Sequence, residues 1–147
     1  MKLIKNLIEK YFSQEIVQVI EGDGNVAADL LTQKFDHIFF TGGESIGKKV
    51  MEAAAKTLTP VTLELGGKSP AIVIDGADHE VTAKRIIWGK SLNAGQTCIA
   101  PDYLVVHDDD YDNFLNQLIN TLNATYGKNF NDQLNSKSLG RIVNDKH

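Results

Sequence analysis

The sequence predicts an α/β fold with a mainly parallel sheet. Two patterns carry the expectation. Short apolar runs of strand length alternate with longer segments of helical periodicity. Glycine-bearing breaks such as Thr41-Gly42-Gly43 and Gly66-Gly67 end several of the runs.

The elements follow in order. Leu3, Ile4, Leu7 and Ile8 recur at helical spacing, and Tyr11 and Phe12 extend that face. Ile16 to Ile20 reads as a short strand, and Glu21 to Asn25 as a turn. Val26 to Gln33 reads as a short helix with Ala27, Leu30 and Leu31 inward. His37-Ile38-Phe39-Phe40 is an apolar run suited to a buried parallel strand. A helix is expected from Glu44 to Leu58, with Ile46, Val50, Ala53, Ala54 and Leu58 on its apolar face and Pro60 beyond its end. Val61 to Glu64 and Ala71 to Ile74 are further strands. Asp78 can cap a helix running to about Leu92, with Val81, Ile86 and Trp88 among its apolar members. Asn93 to Cys98 is a polar loop or helix entry, and Tyr103 to His107 a strand. Asp108, Asp109 and Asp110 put acid at the start of the next helix, where the dipole favours it. Phe114, Leu115, Leu118, Ile119 and Leu122 form that helix's stripe. Beyond Gly127 the chain is rich in Asn, Asp and Ser, with no recognisable closing element.

Composition narrows the function classes. Of 147 residues, 42% are hydrophobic and 23% charged, the balance of a globular domain rather than a disordered or collagen-like chain. The net charge of −4 argues against a nucleic-acid partner. No apolar run approaches the roughly 18–20 residues of a membrane span. The start is too interrupted by charge for a signal peptide. A soluble, cytoplasmic protein is expected. The four histidines are widely spaced with no cysteine partners, so no metal site is expected.

Three segments could carry chemistry. In Phe39 to Gly47 a strand ends, two glycines turn the chain and a helix begins. Such a turn can receive a phosphate or dinucleotide. The spacing is not G-x-G-x-x-G, and alone the segment reads as a plain strand-to-helix turn. In Leu63-Glu64-Leu65-Gly66-Gly67-Lys68-Ser69-Pro70, a carboxylate stands at a strand's carboxyl end, where open α/β sheets place ligands. Glu64 is either a general base or an ordinary surface residue at a turn. Lys68 could orient it or be solvated. Cys98, the one cysteine, has polar, Gly-bearing flanks in Asn93-Ala94-Gly95-Gln96-Thr97-Cys98. A lone cysteine is usually a small buried hydrophobe. These flanks favour an accessible nucleophile instead.

Taken together, His37 to Tyr103 resembles the NAD(P)-dependent aldehyde dehydrogenase superfamily, most closely its class 3, fatty-aldehyde branch. Leu63 to Pro70 matches the family's glutamate signature, and Gly95 to Tyr103 its cysteine signature. Val50 to Lys56 and Leu58 to Thr62 add to the likeness. The resemblance implies part of a Rossmann-like parallel sheet running into the start of an α/β catalytic domain. Residues 1–65 would be the second half of the coenzyme domain and 66–147 the first part of the catalytic domain. It implies Cys98 as nucleophile and Glu64 as general base. Thr41, Gly42, Gly43, Glu44, Ser45, Ile46 and Gly47, with Leu65, would bind NAD or NADP. The substrate would be an aldehyde, oxidised to a carboxylic acid through a thioester, and the intact protein would be a homo-oligomer, a dimer.

Two residues depart from the family pattern. Gly43 stands where many members carry a hydroxyl or amide, and Ser91 where an aromatic commonly opens the cysteine signature. The family's chain is also several times longer. An upstream oxyanion asparagine, an upstream ribose-binding lysine and a downstream Glu-Ile-Phe-Gly-Pro segment have no counterpart here. The resemblance therefore implies an internal fragment, inactive in isolation. The alternative is a non-catalytic remnant that at most binds a nucleotide or partner weakly.

Overall fold

One strand, helix, strand unit with a parallel strand pair organises each half of the chain. The computed structural model describes residues 1–145 and 147, and the chain divides into two compact units, Met1–Glu64 and Leu65–His147.

The first unit begins with α1 (Lys2–Tyr11) and α2 (Gly24–Leu30). Asp23 caps α2. Its carboxylate accepts from the Asn25 N–H at 2.9 Å and the Val26 N–H at 3.3 Å. Those backbone hydrogen bonds, led by Asn25, hold the Asp23 carboxyl below its ordinary value. β1 (Ile38–Thr41), α3 (Glu44–Ala55) and β2 (Val61–Glu64) follow. β1 and β2 pair in parallel from Ile38 opposite Val61 to Thr41 opposite Glu64. α3 buries Gly47, Val50 and Ala54, on adjacent turns of one face.

Five sequence expectations fail here. Ala27 and Leu30, expected inward on α2, are exposed, and β1, expected to be a buried strand, has Phe39 exposed and no fully buried residue. Residues 16–20 form no strand. The Ser13 carbonyl accepts from the N–H groups of Ile16 and Val17, which closes a turn, and the rest of the run finds no ladder partner among the described residues. The helix expected to reach Leu58 ends at Ala55, and Leu58 turns outward at φ 55°, 88% exposed. Thr59 occupies the interior in its place, its hydroxyl donating to the Phe35 carbonyl at 3.0 Å. Ile46, expected on the inward face, is largely exposed.

The second unit pairs β3 (Ser69–Val73) in parallel with β4 (Pro101–Val106), with an irregularity between Ser69 and Pro70. Proline has no N–H to give a ladder, and Pro70 and Pro101 both lie at strand starts. α4 (His79–Ser91) is capped by Asp78, which accepts from the Val81 N–H at 3.0 Å. A 3₁₀ turn (Leu92–Gly95) leads toward Cys98. A second (Asp108–Asp110) precedes α5 (Tyr111–Tyr126), and α6 (Phe130–Asn135) follows. The core is Val73, Ala83 and Phe114, with Ala77, Ile86, Leu104, Val106 and Leu118 packed around it. The Phe114 ring meets His79 edge-on at 5.5 Å, and His79 reaches Asp110 at 3.2 Å.

Here too the inward faces differ from expectation. On α4, Ala83 and Ile87 are buried, whereas Trp88 and Val81 are exposed. On α5 the inward line is Phe114, Leu118 and Thr121, and Leu115, Ile119 and Leu122 lie at its outer side. α6 was not expected at all. It is short and polar, with Phe130 and Leu134 exposed, and is started by Asn129, which accepts from the Asp132 N–H.

Candidate active site

At the end of the first unit, the carboxyl ends of β1 and β2 hold the glycine turn. The Gly42 N–H donates to the Glu64 carbonyl at 3.0 Å, continuing the ladder one residue past Thr41. A Cβ on Gly42 would lie 2.5 Å from the tip of the Phe40 ring, so any larger residue there would have to displace that ring. Gly43 is the N-cap of α3, with extended backbone and no side chain to bond the first turn. A Cβ there would meet nothing within 4 Å. The first N–H groups of any helix lack helical partners. Around Gly43 they open onto free space.

Glu44 puts a carboxylate in that first turn. Lys48 lies one turn on, with Nζ 2.7 Å from the carboxylate. The hydrogen bond and charge of Lys48 lower the Glu44 carboxyl from its ordinary value, and the same contact raises Lys48. The pair offsets the acidic charge where an anion would approach. Thr41, Gly42, Gly43, Glu44, Ser45 and Ile46 are exposed, and Gly47 is buried in the α3 packing. Beside them lies an open apolar cleft of about 340 Å³, lined by α2, β1 and α3 residues including Ala27, Leu30, Phe39, Ile46 and Val50. Phe39 opens the segment Phe39 to Gly47, whereas Ala27 and Leu30 lie in no motif and their apolar character by itself signals only core. The Glu64 side chain is exposed, and Leu65, half-buried, opens the second unit.

In the second unit Cys98 is exposed on a turn closed by the Ala100 N–H to the Thr97 carbonyl at 3.0 Å. Its own N–H has no acceptor among the described residues. The Cys98 carbonyl lies 3.0 Å from where a Gly67 Cβ would be, so the second glycine of the glutamate signature allows the turn to approach. The segment before Cys98 is strained. Asn93 and Ala94 both take positive φ, 52° and 55°. Asn tolerates that region, so Asn93 offers a sequence signal. Ala94 offers none. The Gln96 side chain, which carries no distinguishing sequence signal of its own, bonds to this loop and to residues 141 and 143.

Lys68 pairs with Asp102 at 3.4 Å, and Lys90 approaches the same oxygen at 3.9 Å. An apolar cavity of about 440 Å³ lies between α4, α5 and α6, and its lining includes Ser91, Ala94, Leu122 and Tyr126 but not Cys98.

Comparison with known proteins supplies the context for this geometry. The aldehyde dehydrogenase family model matches residues 1–147. A 4,4'-diaponeurosporen-aldehyde dehydrogenase of Staphylococcus aureus is 47% identical over 146 residues, 99% of this chain and 31% of that protein. The dimeric NADP-preferring aldehyde dehydrogenase of Mus musculus is 46% identical over 145 residues, again 99% of this chain and 31% of the relative. The substrate-bound Staphylococcus aureus AldH structure superposes with a TM-score of 0.83 at 45% identity, covering 97% of this chain and 31% of that one. A P. syringae AldA indole-3-acetaldehyde dehydrogenase mutant in complex with NAD+ and IAA gives 0.69 at 32% identity, over 74% of this chain and 23% of its own. The chain thus spans about a third of the length of the curated relatives it matches. With a family model matched end to end and relatives of this identity, the chain belongs to the aldehyde dehydrogenase family.

Proposed function

We propose that this chain carries the nucleophile, the general base and part of the coenzyme cradle of an NAD(P)-dependent aldehyde dehydrogenase. The observation that carries the reading is Cys98. It is the single thiol of the chain, exposed, on a turn where its backbone N–H has no acceptor among the described residues, inside a motif of the family to which the chain belongs.

The residues present suit a dinucleotide. The uncapped first turn of α3, with open space at Gly43, offers N–H donors to a phosphate. The apolar cleft beside it suits a flat ring. Thr41 to Gly47 would form this part of the site, and the family motif alone assigns Leu65 to the coenzyme.

The chemistry assigned to the chain's own residues is covalent. The Cys98 thiolate adds to the aldehyde carbonyl carbon, and the carbonyl oxygen becomes an alkoxide. The Cys98 N–H donates a hydrogen bond to that oxygen. Oxidised nicotinamide, when bound, supplies the hydride acceptor that converts the adduct to a thioester. Glu64 takes a proton from water as the water attacks the thioester carbon, which releases the carboxylic acid and returns the Cys98 thiolate. The intact protein is read as a homodimer, in keeping with a relative described as dimeric.

The test is transient kinetics on the full-length protein that carries this sequence. Cys98→Ala should abolish aldehyde-dependent NAD(P)H formation. Glu64→Gln should keep the first burst and slow steady turnover by on the order of 10²-fold or more. Normal turnover in Cys98→Ala would refute the assignment of attack, and normal turnover in Glu64→Gln that of water activation.

A further inference from the structure

Two consecutive non-glycine residues with positive φ persist only where their surroundings over-determine them. Asn93 and Ala94 are such a pair, four and five residues before Cys98. The group that determines them is the half-buried side chain of Gln96. Its amide nitrogen donates to the Asn93 carbonyl at 2.8 Å and to the Arg141 carbonyl at 3.1 Å. Its amide oxygen accepts from the Val143 N–H at 2.9 Å. The Asn93 amide returns a bond to the Gln96 carbonyl at 3.2 Å, and the Gln96 N–H donates to the Asn93 carbonyl at 3.2 Å. Both ends of one amide are therefore engaged, across 45 and 47 residues of sequence.

The other side of this contact is itself anchored. Arg141 donates to the carbonyls of Leu139 and Gly140 and to that of Leu134, in α6. The strap from Leu139 to Val143 is thus fixed to α6 by a guanidinium and to the cysteine loop by an amide. Gly67, lacking a Cβ, leaves room for the Cys98 carbonyl. The hold on the loop comes from the Gln96 amide.

We infer that Gln96 is a positioning residue that fixes the Cys98 turn by clamping the 141–143 strap to the strained Asn93–Ala94 loop. It acts through the backbone that carries the nucleophile, not on the substrate. The clamp deepens the catalytic reading of Cys98 and rests on it for its effect on rate, but the clamp itself is a property of the fold. An amide is required because one end must donate to two carbonyls while the other accepts an N–H. Glutamate keeps only the acceptor, and methionine keeps the length but neither function.

The experiment compares Gln96→Met and Gln96→Glu with the parent in the full-length protein. Three readouts are taken together: amide hydrogen exchange, the NAD(P)H burst rate, and the steady-state KM for aldehyde. Both variants should exchange faster at residues 93–98, and Gln96→Met also at Val143, by roughly tenfold. The burst should slow by about tenfold with KM within about twofold, since loosening a nucleophile costs rate rather than substrate affinity. Gln96→Glu should protect Val143 better than Gln96→Met. Unchanged exchange at 93–98 in both variants would overturn the clamp. Faster exchange with an unchanged burst rate would overturn its positioning role. A Cys98→Ala protein that keeps aldehyde-dependent NAD(P)H formation, alongside the predicted exchange pattern in the Gln96 variants, would instead count against the catalytic reading of Cys98 and leave the clamp standing.

Discussion

At the scale of single residues, exposure decides what Cys98 can do. A buried cysteine is inert, whereas an exposed one reacts in proportion to its thiolate fraction. Cys98 is exposed and is the chain's only thiol. An alkylating reagent should therefore modify the native chain once, at Cys98. Mass spectrometry of the labelled peptide checks this. A native thiol that resists labelling would argue against an accessible nucleophile. Sequence was informative here because polar, Gly-bearing flanks are a local property, and local properties survive folding. It was uninformative for Gln96, whose partners Arg141 and Val143 come from far along the chain. Of the two readings of Lys68, the solvated one holds, and its exposed side chain meets Asp102.

At the scale of elements, caps were easier to foresee than faces. Asp78 was expected to start α4 and does so through the Val81 N–H. Ile16 to Ile20 had the composition of a strand but no neighbouring strand to pair with, and a ladder requires two partners. Trp88 and Ile87 are adjacent and both apolar, and only the packing of α4 against β4 and α5 decides which faces inward. Asp23 gives a pH prediction at this scale. Its folded-state pKa lies below the unfolded value, because the Asn25 and Val26 N–H groups bond the carboxylate. The cap's contribution is thus complete above the unfolded pKa and is lost as pH falls through the folded one. Nuclear magnetic resonance should show the Asn25 and Val26 amide shifts moving together with a midpoint below the ordinary aspartate range. Asp23→Asn, which keeps an acceptor oxygen, should remove that transition. An ordinary midpoint would mean that the cap bonds do not form in solution.

At the scale of the whole molecule, buried apolar side chains are few. The core of the second unit centres on three buried residues, with Phe114 its one large, fully buried side chain. Phe114→Ala should therefore destabilise that unit by about 3–5 kcal/mol, read from urea unfolding. A loss under about 1 kcal/mol would show that the packing around Phe114 is looser than described. Elsewhere Leu3, Ile4, Leu7, Phe39, Ile72, Ile74 and Trp88 are all exposed. Among the described residues each unit has two paired strands, and parallel sheets ordinarily have both faces covered. The 147-residue chain should self-associate, with a weight-average mass in sedimentation that grows with concentration. A monodisperse monomer with one sharp thermal transition would contradict this. The α/β class was legible because apolar runs of strand length alternate with helical segments. The boundary between the compact units falls at Glu64 and Leu65, inside the motif Leu63 to Pro70 and one residue from the division expected between 65 and 66.

The central claim is that Cys98 becomes acylated and that Glu64 directs the water that frees it. Both halves meet in one measurement. The full-length Glu64→Gln protein is mixed with oxidised coenzyme and an aldehyde of known mass, quenched in acid within seconds, and digested for peptide mass spectrometry. The Cys98 peptide should be heavier by the acyl group derived from that aldehyde, in near-stoichiometric yield. In the parent protein the adduct should be scarce, because hydrolysis outpaces its accumulation. An unmodified Cys98 peptide from a Glu64→Gln protein that still forms NAD(P)H would contradict the account.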